Sequence, residues 1–205
     1  FVVPSSSGAD EIVVNGMSAA GRNSQWSNAA FVVETRPEDI PETFIEQAKY
    51  NGCKALAGLY YRTWLEKEAK RHGKGQAAPA QRLTDFIAQR ESKDFPSTSY
   101  TPGIVSSRLD QWIPNAISGR LAETFQTFGA NMKGFLSKDA TMIAIETRTS
   151  TPVRITRNKE TSECTALKGL YPAGEGAGYA GGIVSSAMDG ENVCTAILNK
   201  LLNKN

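Results

Sequence analysis

The spacing of apolar and polar residues changes period several times along the chain. Near the start, Phe1–Val3, Glu11–Gly16 and Ala29–Thr35 carry β-branched runs bounded by Ser, Gly and Asn, and these predict strands. The Pro-rich segment Arg36–Phe44 predicts a loop that launches a helix near Pro41. From Cys53 to His72, Leu56, Leu59, Tyr60, Trp64 and Leu65 recur at helical spacing, with Glu66, Lys67, Lys70 and Arg71 on the solvated side. His72 stands beside Gly73 at the end of that helix, where a cation satisfies the last carbonyls and the dipole.

A break over residues 72–80 is followed by Pro79–Glu91, predicted as a helix with Pro79 near its first turn. Ser92–Gly103 is a Ser/Thr/Pro loop, and Ile117, Leu121, Phe125 and Phe128 mark a further amphipathic helix closed by Gly129. Ala140–Thr149 alternates into a strand, Pro152–Ile155 reads as a shorter one, and Thr156–Cys164 as a polar turn. The chain ends with a strand-like Lys168–Gly174, a glycine loop, and a helix from about Gly182 to Leu202. The last helix carries one apolar face of Ile183, Ala187, Cys194, Ile197, Leu198 and Leu201. Its Gly190, costly relative to Ala, predicts close packing against a sheet.

Composition narrows the function classes. The 205 residues are 40% hydrophobic and 21% charged, as expected of a globular protein with a real core. A net charge of +2, evenly spread, argues against nucleic acid or an anionic membrane as partner. Cys53, Cys164 and Cys194 form no Cys-x-x-Cys pair, fit neither a disulfide framework nor a zinc site, and suit a reducing cytoplasm. The single histidine excludes a multi-histidine metal site. The opening FVVPSSSG has neither a Met nor a signal-peptide pattern, so the chain is expected to be a piece of something longer.

The densest chemistry lies in the glycine loop. Five of the residues from Gly174 to Gly182 are glycine, and Gly176–Gly181 is a literal G-x-G-x-x-G between a predicted strand and a predicted helix. A Rossmann βαβ unit would next need a second parallel strand and an acidic residue, and no such segment follows before Asn205. Glycines still let backbone approach a ligand, and a helix start offers free amides and partial positive charge. No Lys follows in the G-K-[ST] context, which rules out a P-loop.

These residues resemble a family. Gly169–Gly190 is similar to the carboxy-terminal signature of uncharacterised bacterial FAD-dependent dehydrogenases, relatives of the two-dinucleotide-binding-domain flavoproteins. Glu11–Ser18, Ala78–Phe86 and Glu146–Ile155 resemble family segments in the family's order. The resemblance implies an α+β chain with a mixed or antiparallel sheet and several helices. Residues 1–165 would be an inserted cap or substrate domain. Residues 166–205 would be a returning strand–glycine loop–helix that completes a Rossmann-type FAD domain whose main part lies upstream.

Carried over by position, the resemblance implies FAD as cofactor. Gly174-Glu175 would stand where related flavoproteins have Gly-Asp, with the carboxylate meeting a ribityl hydroxyl or a phosphate. Gly176, Ala177 and Gly178 would continue the loop, and Tyr179 would cover the flavin ring. Amides around Gly181, Gly182 and Ile183 would face the pyrimidine edge of the isoalloxazine. Arg148, Thr149 and Ser150, at a strand end ahead of Pro152, would hold a flavin or substrate oxygen. Arg22 and Arg62 are weaker candidates.

The reading is the C-terminal portion of a FAD-dependent oxidoreductase acting on a small molecule, inactive by itself. Its partner would be the upstream FAD-binding domain of the same protein. The alternative is a non-redox ligand-binding or interaction domain. The two differ over the last helix: the first predicts an exposed apolar face there, or self-association through it, and the second a helix with its own complete core.

Overall fold

The computed structural model describes residues 1–5, 7–148, 151 and 153–202, and the chain is α+β. Among the described residues there are six α-helices and two small sheets. The chain divides into two compact units, Phe1–Thr147 and Arg148–Asn205. No helix among the described residues is long and apolar enough to cross a membrane.

In the first unit, β1 (Val2–Pro4) pairs antiparallel with β2 (Val14–Gly16), with Val3 opposite Asn15. Ile12, Val13 and Val14 are buried, and the Ile12 amide donates to the Glu66 carbonyl. The predicted third strand, Ala29–Thr35, does not form. Its Phe31 instead joins an aromatic cluster, edge-on to Phe125 at 5.1 Å and to Phe135 at 5.8 Å. Aromatic packing decides that segment, not strand propensity.

Helix α1 (Glu42–Tyr50) starts after Pro41 as expected, and α2 (Ala57–His72) follows a short 3-10 turn, Lys54–Leu56. Tyr61, Leu65 and Ala69 form the buried stripe of α2, and Phe44 of α1 packs on Tyr61 and Trp64. At the end of α2 the His72 ring stacks on Trp112 at 5.1 Å, and Lys70 donates to the Gly75 carbonyl.

The segment predicted as a helix from Pro79 is a strand first. β3 (Ala78–Arg82) is the centre of a three-stranded sheet, parallel to β4 (Ile104–Ser106) and antiparallel to β5 (Thr141–Ile143). A proline is unusual in a central strand because it has no N–H for the ladder. Here the Ala78 amide donates to the Gly103 carbonyl and the Ala80 carbonyl accepts from the Ser107 amide, at the two ends of β4. The Pro79 carbonyl accepts from Ala144, just beyond the last paired residue of β5, so no N–H is needed. Ala78, Ala80 and Gln81 are completely buried, and the small side chains let α2 cover the sheet closely. Helix formation is delayed to α3 (Leu83–Ile87).

The short α4 (Leu109–Trp112) leads into α5 (Asn115–Asn131), which runs two residues past the expected stop at Gly129. Phe86, Leu109, Ile113 and Phe125 meet in one core with the α2 stripe, and Phe86 lies edge-on to Phe125 at 6.1 Å.

Among the described residues of the second unit there is one helix, α6 (Ile183–Leu202), packed against irregular chain. Neither Val153–Ile155 nor Lys168–Gly174 pairs as a strand. An isolated bridge between Arg157 and Cys164 closes the polar turn, and the Cys164 amide donates to the Leu170 carbonyl. The strand expected before the glycine loop is therefore absent among the described residues. These segments bond to one another by isolated backbone bonds, such as Ile155 to Ala177 and Thr165 to Thr156, and by side chains, instead of a ladder.

Candidate functional site

Seven consecutive residues, Gly174 to Ala180, form the loop ahead of α6. Gly174 and Gly178 have left-handed backbone, at φ +68 and +83. An L side chain is strained there, so both glycines are required by the turn itself. The Gly178 amide donates to the Glu175 carbonyl at 2.9 Å, and the Tyr179 amide to the Gly174 carbonyl at 3.0 Å. Ala177 is buried, and its carbonyl accepts from the Ile155 amide at 3.2 Å.

A half-buried ion pair organises this loop. Arg157 grips Asp189 of α6 with two nitrogens, at 2.6 and 3.0 Å, and donates to the Pro172 carbonyl at 2.7 Å. Asp189 Oδ2, which takes the longer of the two Arg157 bonds, also accepts the Gly174 amide at 2.9 Å. The Arg157 guanidinium also lies 3.6 Å over the Tyr179 ring. The Arg157 guanidinium beside Asp189 holds its carboxyl below the usual range, and the carboxylate in turn raises Arg157. Neither residue was singled out from sequence. Asp189 sits among small residues in AMDG, and Arg157 in a polar turn, so neither stands out until the fold joins them.

Tyr179 is engaged inside the loop. Its hydroxyl accepts from the Arg157 amide at 3.1 Å and donates to the Ile155 carbonyl at 3.0 Å. Arg154 donates to the Gly178 carbonyl at 2.8 Å. The outward positions are Glu175 and Gly176 on the loop and Gly181, Gly182 and Ile183 at the helix start. At Gly176 and Gly181 nothing lies within 4 Å of the position a Cβ would take, so the backbone edge is open. The first α6 bond runs from the Ser186 amide to the Gly182 carbonyl, which leaves the preceding first-turn amides without helical acceptors.

The faces of α6 are sorted by charge. Asp189 is held by Arg157, and Lys200 is held by Glu163 at 2.5 Å and by the Tyr171 hydroxyl at 3.0 Å. These two anchors turn the Asp189, Val193, Ile197 and Lys200 stripe inward. Of the apolar face expected from sequence only Ile197 is even partly covered, while Leu198 and Leu201 stay outside. Ile183 is 92% exposed and Val184 72%, and Met188 and Leu202 are also open. Gly190 has no atom within 4 Å of a Cβ position, so the close sheet contact predicted for it is not present in this unit.

Thr149, Ser150 and Pro152 lie outside the described residues, and Arg148 is half-buried at the start of the second unit. In the first unit, Arg22 (φ +47) lines a shallow cleft of about 270 Å³ with Trp26 and Asn28. Arg62 reaches the buried Glu66 carboxylate at 3.4 Å. The thiols of Cys53 and Cys194 are exposed, and that of Cys164 is half-buried.

The donor set suits part of a flavin. The open edges at Gly176 and Gly181 admit a flat ring or a phosphate, the first-turn amides favour an electron-rich edge, and Ile183 and Val184 supply apolar surface beside them.

Comparison with known proteins places the chain in a family. The profile described as FAD-dependent protein, C-terminal domain-like matches residues 1–149. A protein of Clostridium beijerinckii (strain ATCC 51743 / NCIMB 8052), described as "Uncharacterized protein", is 37% identical over 202 residues, which is 97% of this chain and 36% of that protein. The chain thus spans about a third of the curated relative it matches, and that similarity continues past residue 149, beyond the family match.

Proposed function

The chain belongs to the family of FAD-dependent protein C-terminal domains, and from this premise we propose that it is the C-terminal portion of an FAD-dependent oxidoreductase. Residues 1–165 serve as the cap or substrate domain. Residues 166–205 return to an upstream FAD-binding domain of the same protein. Glu175 and Gly176 and the amides at Gly181, Gly182 and Ile183 meet the flavin, and Arg148, Thr149 and Ser150 hold a flavin or substrate oxygen. When bound, FAD supplies the two-electron chemistry toward a small-molecule substrate. The chain's residues orient that group, exclude water and stabilise charge on its pyrimidine edge through the dipole of α6. The three free thiols suit work in the cytoplasm.

The observation that carries this reading is the family match over residues 1–149. The outward apolar stripe of α6 supports it, because such a face needs cover in the complete protein. The upstream domain is the proposed cover, and in the isolated chain self-association through the same face is expected.

The test is to purify the full-length protein and this chain separately and titrate each with FAD, followed by calorimetry and visible absorbance. The full-length protein should bind saturably and bleach on reduction. Glu175→Ala and Gly181→Val should each weaken binding in it, while the isolated chain binds weakly at best. A full-length protein that stays colourless with FAD would sink the flavoprotein reading.

A further inference from the structure

The Arg157–Asp189 pair joins three segments that have no other regular structure in common: the chain at 153–157, the loop at 172–179, and α6. The side chains of the pair are 13% and 14% exposed, so water competes little for their bonds. Five contacts radiate from them. Arg157 binds Asp189 twice, the Pro172 carbonyl once, and lies over the Tyr179 ring, while Asp189 takes the Gly174 amide. The Arg157 backbone amide adds a bond to the Tyr179 hydroxyl.

Beyond the pair, the middle of the loop is held by the Ile155 amide on the Ala177 carbonyl and by the Tyr179 hydroxyl on the Ile155 carbonyl. The loop's two internal bonds, from the Gly178 and Tyr179 amides, span only the turn, and two of its residues sit in left-handed backbone that glycine enters and leaves freely. Both ends of the turn are nevertheless pinned, Gly174 by Asp189 and Tyr179 by Arg157. Gly178 is pinned from below, by Arg154 on its carbonyl and by the close approach of the Val153 carbonyl.

We propose that Arg157 and Asp189 are positioning residues that hold the Gly174–Tyr179 loop in one shape, with Glu175 and Gly176 turned outward beside the first turn of α6. The pair does not touch the ligand itself. Its carboxylate is committed to Arg157 and Gly174, which leaves Glu175 as the carboxylate on the loop's outward edge. The consequence for FAD affinity rests on the function proposed above. The effect on the loop does not.

The experiment uses the full-length protein, with amide hydrogen exchange over residues 173–180, helical circular dichroism and FAD titration as readouts. Asp189→Asn keeps the shape of the side chain but loses the charge. It should speed exchange of the Gly174 and Tyr179 amides by about tenfold or more, as expected when a charge-assisted hydrogen bond is lost, and weaken FAD binding by a similar factor.

A merely structural ion pair would be restored by swapping its members. The double variant Arg157→Asp/Asp189→Arg should therefore not restore protection, because residue 189 must accept from the Gly174 amide and Arg cannot. Should Asp189→Asn fail to fold, Arg157→Lys keeps the charge while losing the bidentate grip, and it should loosen the loop with helical signal retained. Wild-type exchange over 173–180 in a folded Asp189→Asn or Arg157→Lys variant, or its full recovery in the swap, would overturn the positioning role. Faster exchange with unchanged FAD affinity would uphold that role and overturn the flavin-facing reading of the loop instead.

Discussion

The loop contains two kinds of glycine, and replacing one of each by alanine separates them. At Gly178 the backbone is left-handed, φ +83, and an L side chain there costs roughly 1–2 kcal/mol. An added Cβ would also stand 2.9 Å from the Val153 carbonyl oxygen, 3.0 Å from the Arg154 Cα and 3.1 Å from its Cβ. Two of these are backbone atoms, so the chain at 153–154 must move, and overpacking of this kind typically costs about 1–3 kcal/mol. Gly178→Ala should then destabilise the second unit by about 2–5 kcal/mol. Gly176 is not in the left-handed region and nothing lies within 4 Å of its Cβ position. Gly176→Ala should be neutral or stabilising by up to about 1 kcal/mol through the unfolded chain, while its methyl narrows the open edge.

The assay must see the second unit alone. All three tryptophans, Trp26, Trp64 and Trp112, belong to the first unit, so their emission is blind to this change. Native-state hydrogen exchange of the α6 amides reads the second unit directly. Protection there should fall by roughly thirtyfold or more in Gly178→Ala, at about 1.4 kcal/mol per factor of ten, with tryptophan emission unchanged. Equal α6 protection in the two variants would refute the account of the loop as a turn that needs glycine at 178.

Three other outcomes are expected. Gly190→Ala should stabilise α6 by up to about 1 kcal/mol, because no neighbour blocks the methyl, and a lower thermal midpoint would show a contact at that face. Phe125→Ala should lower first-unit stability by about 3–5 kcal/mol in urea titration followed by tryptophan emission, since its ring is 2% exposed and meets both Phe31 and Phe86. Burial raises Glu146 above its ordinary value of 4.5, so the folded state favours the protonated form. Its contribution is present below the ordinary value and lost as pH rises through the folded one. Glu146→Gln should therefore stabilise the chain near pH 7, with the gain vanishing as pH falls below about 4. A gain that persists at pH 3 would contradict that assignment.

Periodicity located α2, α5 and α6, because each is long enough for a 3.6-residue repeat to stand out, and the proline start signal located α1. The glycine loop and the start of its helix were also legible, since glycine at that density has few other uses. Tertiary contacts decided the rest. Ala78–Arg82 has no β-branched residue and begins with the pattern of a helix start, yet it is the central strand because β4 and β5 close on its backbone. Ala29–Thr35 has strand composition and pairs with nothing, because Phe31 gains more by completing an aromatic cluster with Phe125 and Phe135. In α6 the apolar stripe was visible in the sequence, but its direction was not. Asp189 and Lys200 found their partners Arg157 and Glu163 across 32 and 37 residues of chain, and those pairs turned the polar anchors inward and left the stripe outside. Local spacing carries the period of an element, which is a property of neighbours along the chain. The facing of that element depends on distant charges, and only the folded chain brings them together.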